Sequence, residues 1–227
     1  MLDAPVQGQP PQVTTARLAL DFNLAPLVEM DPSWVEVLGV GAAYSTLSSC
    51  RQSKPWLAQH LLDTMQVSDV FWTDFSRPRA RLALLDGATL QRVLLYVGVC
   101  LRHDELRGEL DGAVISRIRA SIGEDAFEFA IGGAPLIAAG AHFERSVTLT
   151  EPRLHFMVTG AAYAIDPRAA RVPAYLQRLS LRLPKSVADG FSRALATSGP
   201  CDSDAALPPL VRRIVTEIAE PWLPFFD

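Results

Sequence analysis

His103, Asp104 and Glu105 stand in a row, the one knot in the chain where an imidazole adjoins two carboxylates. Neighbouring carboxylates raise an imidazole pKa and can prepare it as a general base, so a hydrolase or transferase built here would work through these three. The triplet also follows a long apolar run, and a histidine at a helix C-terminus offsets the negative end of the dipole before an acidic turn. Catalytic groups need partners that the sequence does not supply nearby, so capping is the reading adopted. His60, His142 and His155 are isolated. Gly39-Val40-Gly41 opens a dinucleotide-type glycine pattern, but Tyr44 occupies the third glycine's place, no strand precedes it, and a helix is expected behind Trp34 and Val35. GxxxxGK[ST], HExxH and GxSxG are all absent. Cys50, Cys100 and Cys201 are far apart, with no zinc spacing. The expectation is no catalytic residue, no cofactor and no metal.

Two further groups fit binding better than catalysis. Arg77, Arg79 and Arg81 surround Pro78; three cations are thin for phosphate binding in a net-acidic chain, and a solvated loop is expected. At the C-terminus, Trp222, Leu223, Phe225 and Phe226 are interleaved with prolines just past a helix stop. Such a tail either folds onto its own core or docks into a partner, where aromatic anchors carry much of the energy. Both readings stay open, and these four are the candidate partner-binding residues.

The elements that must position these groups are helical. Asp31-Pro32 reads as an N-cap with proline at the first helical position, followed by Trp34, Val35, Leu38 and Ala42. Lys54-Pro55 opens a helix with Leu57, Leu61 and Met65 on one face, and residues 67–81 read as a connector. Past Asp86-Gly87, Leu90, Val93, Leu94, Val97 and Leu101 repeat at helical spacing, with enough apolar neighbours to predict a helix buried on most sides. Cys100 falls inside it as a small buried residue. Val114, Ile115, Ile118 and Ile122 form the next stripe, closed by Gly123 at a C-cap position and followed by Glu124 and Asp125 in a first turn. Residues 147–149 alternate weakly, so one short hairpin or strand is allowed. Val187, Phe191 and Leu195 mark another helix, and Leu207, Leu210, Val211, Ile214, Val215 and Ile218 the last, stopped by Pro221. The expected fold is all-α, an irregular multi-helix bundle. Residues 1–15 are expected as a flexible arm and 16–227 as a single helical domain, with a subdivision allowed near 138–150.

Of 227 residues, 49% are apolar and 20% charged, the balance of a folded globular chain. A net charge of −4 excludes nucleic acid as a main partner on electrostatic grounds. The N-terminus lacks the charged flank and apolar stretch of a signal peptide, and the longest apolar run, residues 93–101, is too short to span a bilayer. Unpaired, scattered cysteines fit a reducing compartment, and the chain is expected to be cytoplasmic.

The segment LDGATLQRVLLYVGVCLRHDELRGELDGAVISRIRASIGEDAFEFAIGGAPLI, residues 85–137, resembles the K-type accessory proteins of type III secretion (the SctK, YscK and PscK family). The resemblance is carried by "LYVG" in a leucine-rich helix, "RIRASIGED" closing the next, and "AFEFAI" leading to a Gly-Ala-Pro-Leu turn. It implies a mainly α-helical cytoplasmic adaptor of the sorting platform, peripheral to the inner-membrane apparatus. Its implied partners are the cytoplasmic domain of the ring D component and the pod Q component, with no catalytic residues to carry over. The alternative is a soluble helical regulator or chaperone of secretion components.

Overall fold

The computed structural model describes residues 14–109, 111–138, 151–197 and 206–226. Its α-helices are α1 (Thr15–Leu24), α2 (Tyr44–Ser49), α3 (Lys54–Thr64), α4 (Gly87–Leu101), α5 (His103–Gly108) and α6 (Gly112–Ile122). They continue as α7 (Glu124–Gly132), α8 (Ala134–Ile137), α9 (Pro152–Ala164), α10 (Pro173–Leu181), α11 (Lys185–Thr197) and α12 (Pro209–Ile218), with short 3-10 turns between. No strand occurs among the described residues. The all-α expectation holds; the weak alternation at 147–149 lies outside the described residues, as does most of the 138–150 stretch considered for a subdivision.

α4 forms where the apolar periodicity placed it. The Asp86 carboxylate accepts from the Thr89 N–H at 2.8 Å, and Glu29, distant in sequence, accepts from the Gly87 N–H at 2.7 Å. Two carboxylates thus satisfy orphan donors at the positive end of the helix dipole. Every residue from Val93 to Leu101 is buried.

α4 packs most extensively on α9, and the two backbones nearly touch. A Cβ on Gly98 would lie 1.8 Å from the Phe156 carbonyl oxygen, and one on Gly160 would lie 1.9 Å from that of Leu94. Only glycine permits this approach at either position. α11 closes over α9, with Gly190 against Val158, while α12 covers α4. Leu90, Val93, Leu94, Phe156, Ala161, Phe191, Val211 and Ile214 meet in one apolar core. Each large aliphatic or aromatic side chain so buried contributes about 1.5–3 kcal/mol relative to exposure.

Two expectations are corrected. The helix expected after Asp31-Pro32 is only a 3-10 turn, Pro32–Trp34. Gly39 and Gly41 adopt φ of 66° and 46°, left-handed values incompatible with continuing a right-handed helix. Trp34 is buried instead as an anchor: its indole N–H donates to the carbonyls of Leu183 (2.9 Å) and Ser180 (3.1 Å), at the end of α10. The second correction concerns the arginines of the connector.

Candidate functional site

Arg77, Arg79 and Arg81 do not form a solvated loop. Arg79 is buried, and its guanidinium donates to the carbonyls of Tyr163 (2.5 Å), Ala164 (3.2 Å) and Ile165 (3.1 Å). It therefore caps the C-terminal end of α9, where carbonyls lack intrahelical partners and the dipole favours a cation. Arg77 lies 3.0 Å from the carboxylate of Asp166, which is fully buried and also accepts from the N–H groups of Arg168 and Ala169. Arg81 donates to the carbonyls of Phe75 (2.8 Å) and Phe225 (3.0 Å). Three residues read as a solvated loop are internal staples; Arg81 also holds nearby Phe75, but the partners of Arg77 and Arg79, and Phe225 for Arg81, lie far away in sequence and leave no local signal.

The same device recurs on α10. Arg178 is 2% exposed and donates to the carbonyls of Val67 (2.8 Å) and Ala174 (3.1 Å). Arg182 donates to the Leu85 carbonyl and lies 5.4 Å from the centroid of the Phe22 ring. Tyr175, fully buried on the same helix, donates its hydroxyl to the Ala80 carbonyl, and burial pushes its pKa upward. Sequence reading missed these residues because an arginine four positions after another on a short helix usually marks a solvated face.

The His103-Asp104-Glu105 knot is taken apart by the fold. His103 Nδ1 sits 2.8 Å from the Cys100 carbonyl at the end of α4, the capping contact expected of it. Asp104 is 82% exposed in its side chain and reaches only His103, at 3.3 Å. Glu105 turns the other way, pairing with the buried Arg102 and lying 4.0 Å from Nε2 of His155 on α9. His155 is 4% exposed; burial, with the Arg102 guanidinium close by, holds its pKa below the ordinary 6.5, while the Glu105 carboxylate pulls it back up. Histidine, carboxylate and guanidinium meet here between α5 and α9. Two clefts among the described residues, of about 410 and 430 Å³, are lined by other side chains: one lies among Arg117, Ser121, Arg153 and Val187, the other among Gln91, Arg92, Tyr96 and the start of α7.

Cys100 is enclosed by α4's neighbours and its thiol is pushed up to about 12 by burial, whereas Cys50 is exposed. Cys201 lies outside the described residues. No three His, Cys, Asp or Glu side chains among the described residues are grouped to hold a metal.

The C-terminal aromatics fold back as a 3-10 turn, Glu220–Phe226. Trp222 (9% exposed) and Phe226 (1%) enter the core, so in this conformation neither is presented to a partner. Leu223 and Phe225 pack partly buried against it, with the Trp222 and Phe225 rings 5.3 Å apart. Larger exposed apolar side chains lie elsewhere, at Leu20, Leu24 and Val28, at Val70 and Phe71, and at Leu136.

The fold is thus an all-α core crossed at two glycines and stapled by buried arginines. The family described as YOP proteins translocation protein K (YscK) matches residues 16–220, and the chain belongs to it: it is a type III secretion protein of the K family. No curated protein and no solved structure matches the chain. No helix among the described residues is long and apolar enough to cross a membrane.

Proposed function

We propose that this protein is a non-catalytic adaptor of the type III secretion sorting platform, joining the cytoplasmic domain of the inner-membrane ring D protein to the pod Q protein. The observation that carries this reading is family membership across nearly the whole chain, residues 16–220. The placement of His103, Asp104 and Glu105 supports it: one caps a helix, one faces solvent and one pairs internally, an arrangement serving packing. The adaptor acts by geometry. Its core holds two outer surfaces at fixed separation, and a few apolar anchors with complementary charge at each surface select the partner. It works in the cytoplasm, peripheral to the inner-membrane apparatus.

The test is an affinity capture of the tagged protein from its host under secretion-inducing conditions, read by mass spectrometry. Recovery of both the D and Q proteins is expected. Recovery of neither, in a lysate shown to contain both, overturns the reading; co-elution with a soluble secreted substrate instead would favour a chaperone.

A further inference from the structure

α1 buries only one side. Phe22 packs edge-on against Phe75 at 5.5 Å and near Tyr175 at 5.9 Å, while Leu20 and Leu24, four residues apart, are 54% and 56% exposed. Alongside runs an extended segment fastened by Asn23, whose side-chain amide both donates to the Trp72 carbonyl (2.8 Å) and accepts from the Trp72 N–H (2.9 Å). Asn23 is buried, so this two-bond clasp fixes the segment's register on the helix. Trp72 turns inward, its ring 5.3 Å from that of Tyr175. Val70 and Phe71, next to it, are 52% and 54% exposed. Exposed apolar side chains thus flank a hydrogen-bonded seam on both stretches of chain, and apolar groups left in solvent together mark interaction sites.

The charge around this surface is one-sided. Asp21, Asp69 and Asp74 stand on α1 and the segment against one cation of those stretches, Arg17, itself 3.2 Å from Asp21. Glu29 and Asp31 are taken up by the start of α4, and the Arg178 guanidinium, 5.9 Å from the centroid of the Phe71 ring, is buried and bonded to backbone carbonyls. Asp69 and Asp74 are exposed at the two ends of the extended segment. The Ser76 hydroxyl and N–H hold the Asp74 carboxyl below its usual range, so it is ionised at neutral pH. The nearest arginines in sequence cannot offset this rim, because Arg77 turns to the buried Asp166 and Arg79 and Arg81 to backbone carbonyls.

We infer that the α1 outer face and the 69–74 segment form a docking surface for a protein segment that presents apolar side chains ringed by lysine or arginine. The acidic rim selects this occupant. Two-fold pairing with a second copy would set Asp21, Asp69 and Asp74 near their own counterparts, and an anionic bilayer would be repelled. In the adaptor reading, on which the choice of probes rests, this is the surface for one of the two platform partners.

The experiment is a binding titration of the full chain against the purified D cytoplasmic domain and against the purified Q protein, with the variant Leu24→Glu/Phe71→Glu beside it. Both positions are more than half exposed, and an unchanged melting curve confirms that the variant folds. The expected result is at least tenfold weaker binding (roughly a 1.4 kcal/mol loss) to one partner, unchanged binding to the other, and a wild-type affinity for the lost partner that falls as salt rises. Unchanged binding to both overturns the docking surface and leaves the adaptor reading standing. If the wild-type chain binds neither, the adaptor reading fails, and a photo-crosslinking p-benzoylphenylalanine at position 71 decides the surface in host cells. An adduct mapped to a foreign apolar segment flanked by basic residues supports it. No adduct, a self-adduct, or one to a segment without basic residues overturns it.

Discussion

The α4–α9 crossing and the flank where residues 77–85 meet the end of α9 and α10 hold the fold by opposite means. At the crossing, Gly98 and Gly160 bring two backbones together, and aliphatic side chains fill the space around them. On the flank, Arg79, Arg178 and Arg182 reach buried carbonyls that no helix pattern satisfies. The crossing has few polar groups to satisfy and tolerates no added volume. The flank is irregular backbone, and a long planar cation with several donors is the side chain suited to serving several stray carbonyls at once. Regular elements can be joined by removing atoms; irregular ones need atoms that bond.

Breaking the crossing should cost most. In Gly98→Ala the new methyl would meet the Phe156 carbonyl oxygen at 1.8 Å, a backbone atom that cannot swing aside. Overpacking against backbone is expected to cost roughly 3 kcal/mol or more, read as a lower urea midpoint or as insoluble expression. Gly160→Ala should behave alike, because Leu94 opposes it from the other helix. Wild-type stability in both variants would show that the helices can slide apart at little cost.

A comparable loss, about 3 kcal/mol, is expected from Phe226→Ala, since that ring is 1% exposed in the core. Leu223→Ala, at a partly buried position two residues from the Arg81-bound carbonyl of Phe225, should cost about 1 kcal/mol or less. Equal effects would mean that the C-terminal turn is not packed as described.

Breaking the flank comes next. Arg79→Met keeps the apolar stem of the side chain but leaves three carbonyls near the end of α9 without their charged donor. The expected cost is about 2 kcal/mol. Arg79→Lys should recover only part of it, because an ammonium lacks the fork that spans three acceptors. Full recovery by lysine would reduce the staple to a point charge at the helix end.

These two regions also explain what could be read in advance. Leu90, Val93, Leu94, Val97 and Leu101 announce a buried helix because periodicity is local, and Asp86 and Gly123 announce its start and a later stop for the same reason. Nothing local announces that Arg79 faces residues 163–165, that Trp34 donates to Ser180 and Leu183, or that Glu105 meets His155. The helix forecast over 31–42 failed at Gly39 and Gly41, whose left-handed backbone was visible only as two glycines. The exposed seam of α1 is equally illegible: Leu20 and Leu24 look like core leucines until Phe22 and Asn23 are seen to face inward.

The smallest expected effect tests the polar group nearest the crossing. His155 sits one residue before Phe156, whose carbonyl receives Gly98, and its imidazole is kept neutral by burial and by Arg102. Its pKa in the fold is below 6.5 and returns to about 6.5 on unfolding. Below that value the unfolded chain binds a proton the folded chain refuses, so this residue's contribution falls as the medium is acidified from pH 7.5 to 5.5. His155→Gln should flatten this part of the profile, measured as the difference in urea midpoint between the two pH values. Glu105→Gln should steepen it, because its carboxylate is the group that favours a protonated His155 at 4.0 Å. Opposite slopes from the two variants would establish that the crossing tolerates one polar neighbour only in its neutral form. Parallel slopes would assign the pH dependence to other groups and leave the crossing wholly apolar in its energetics.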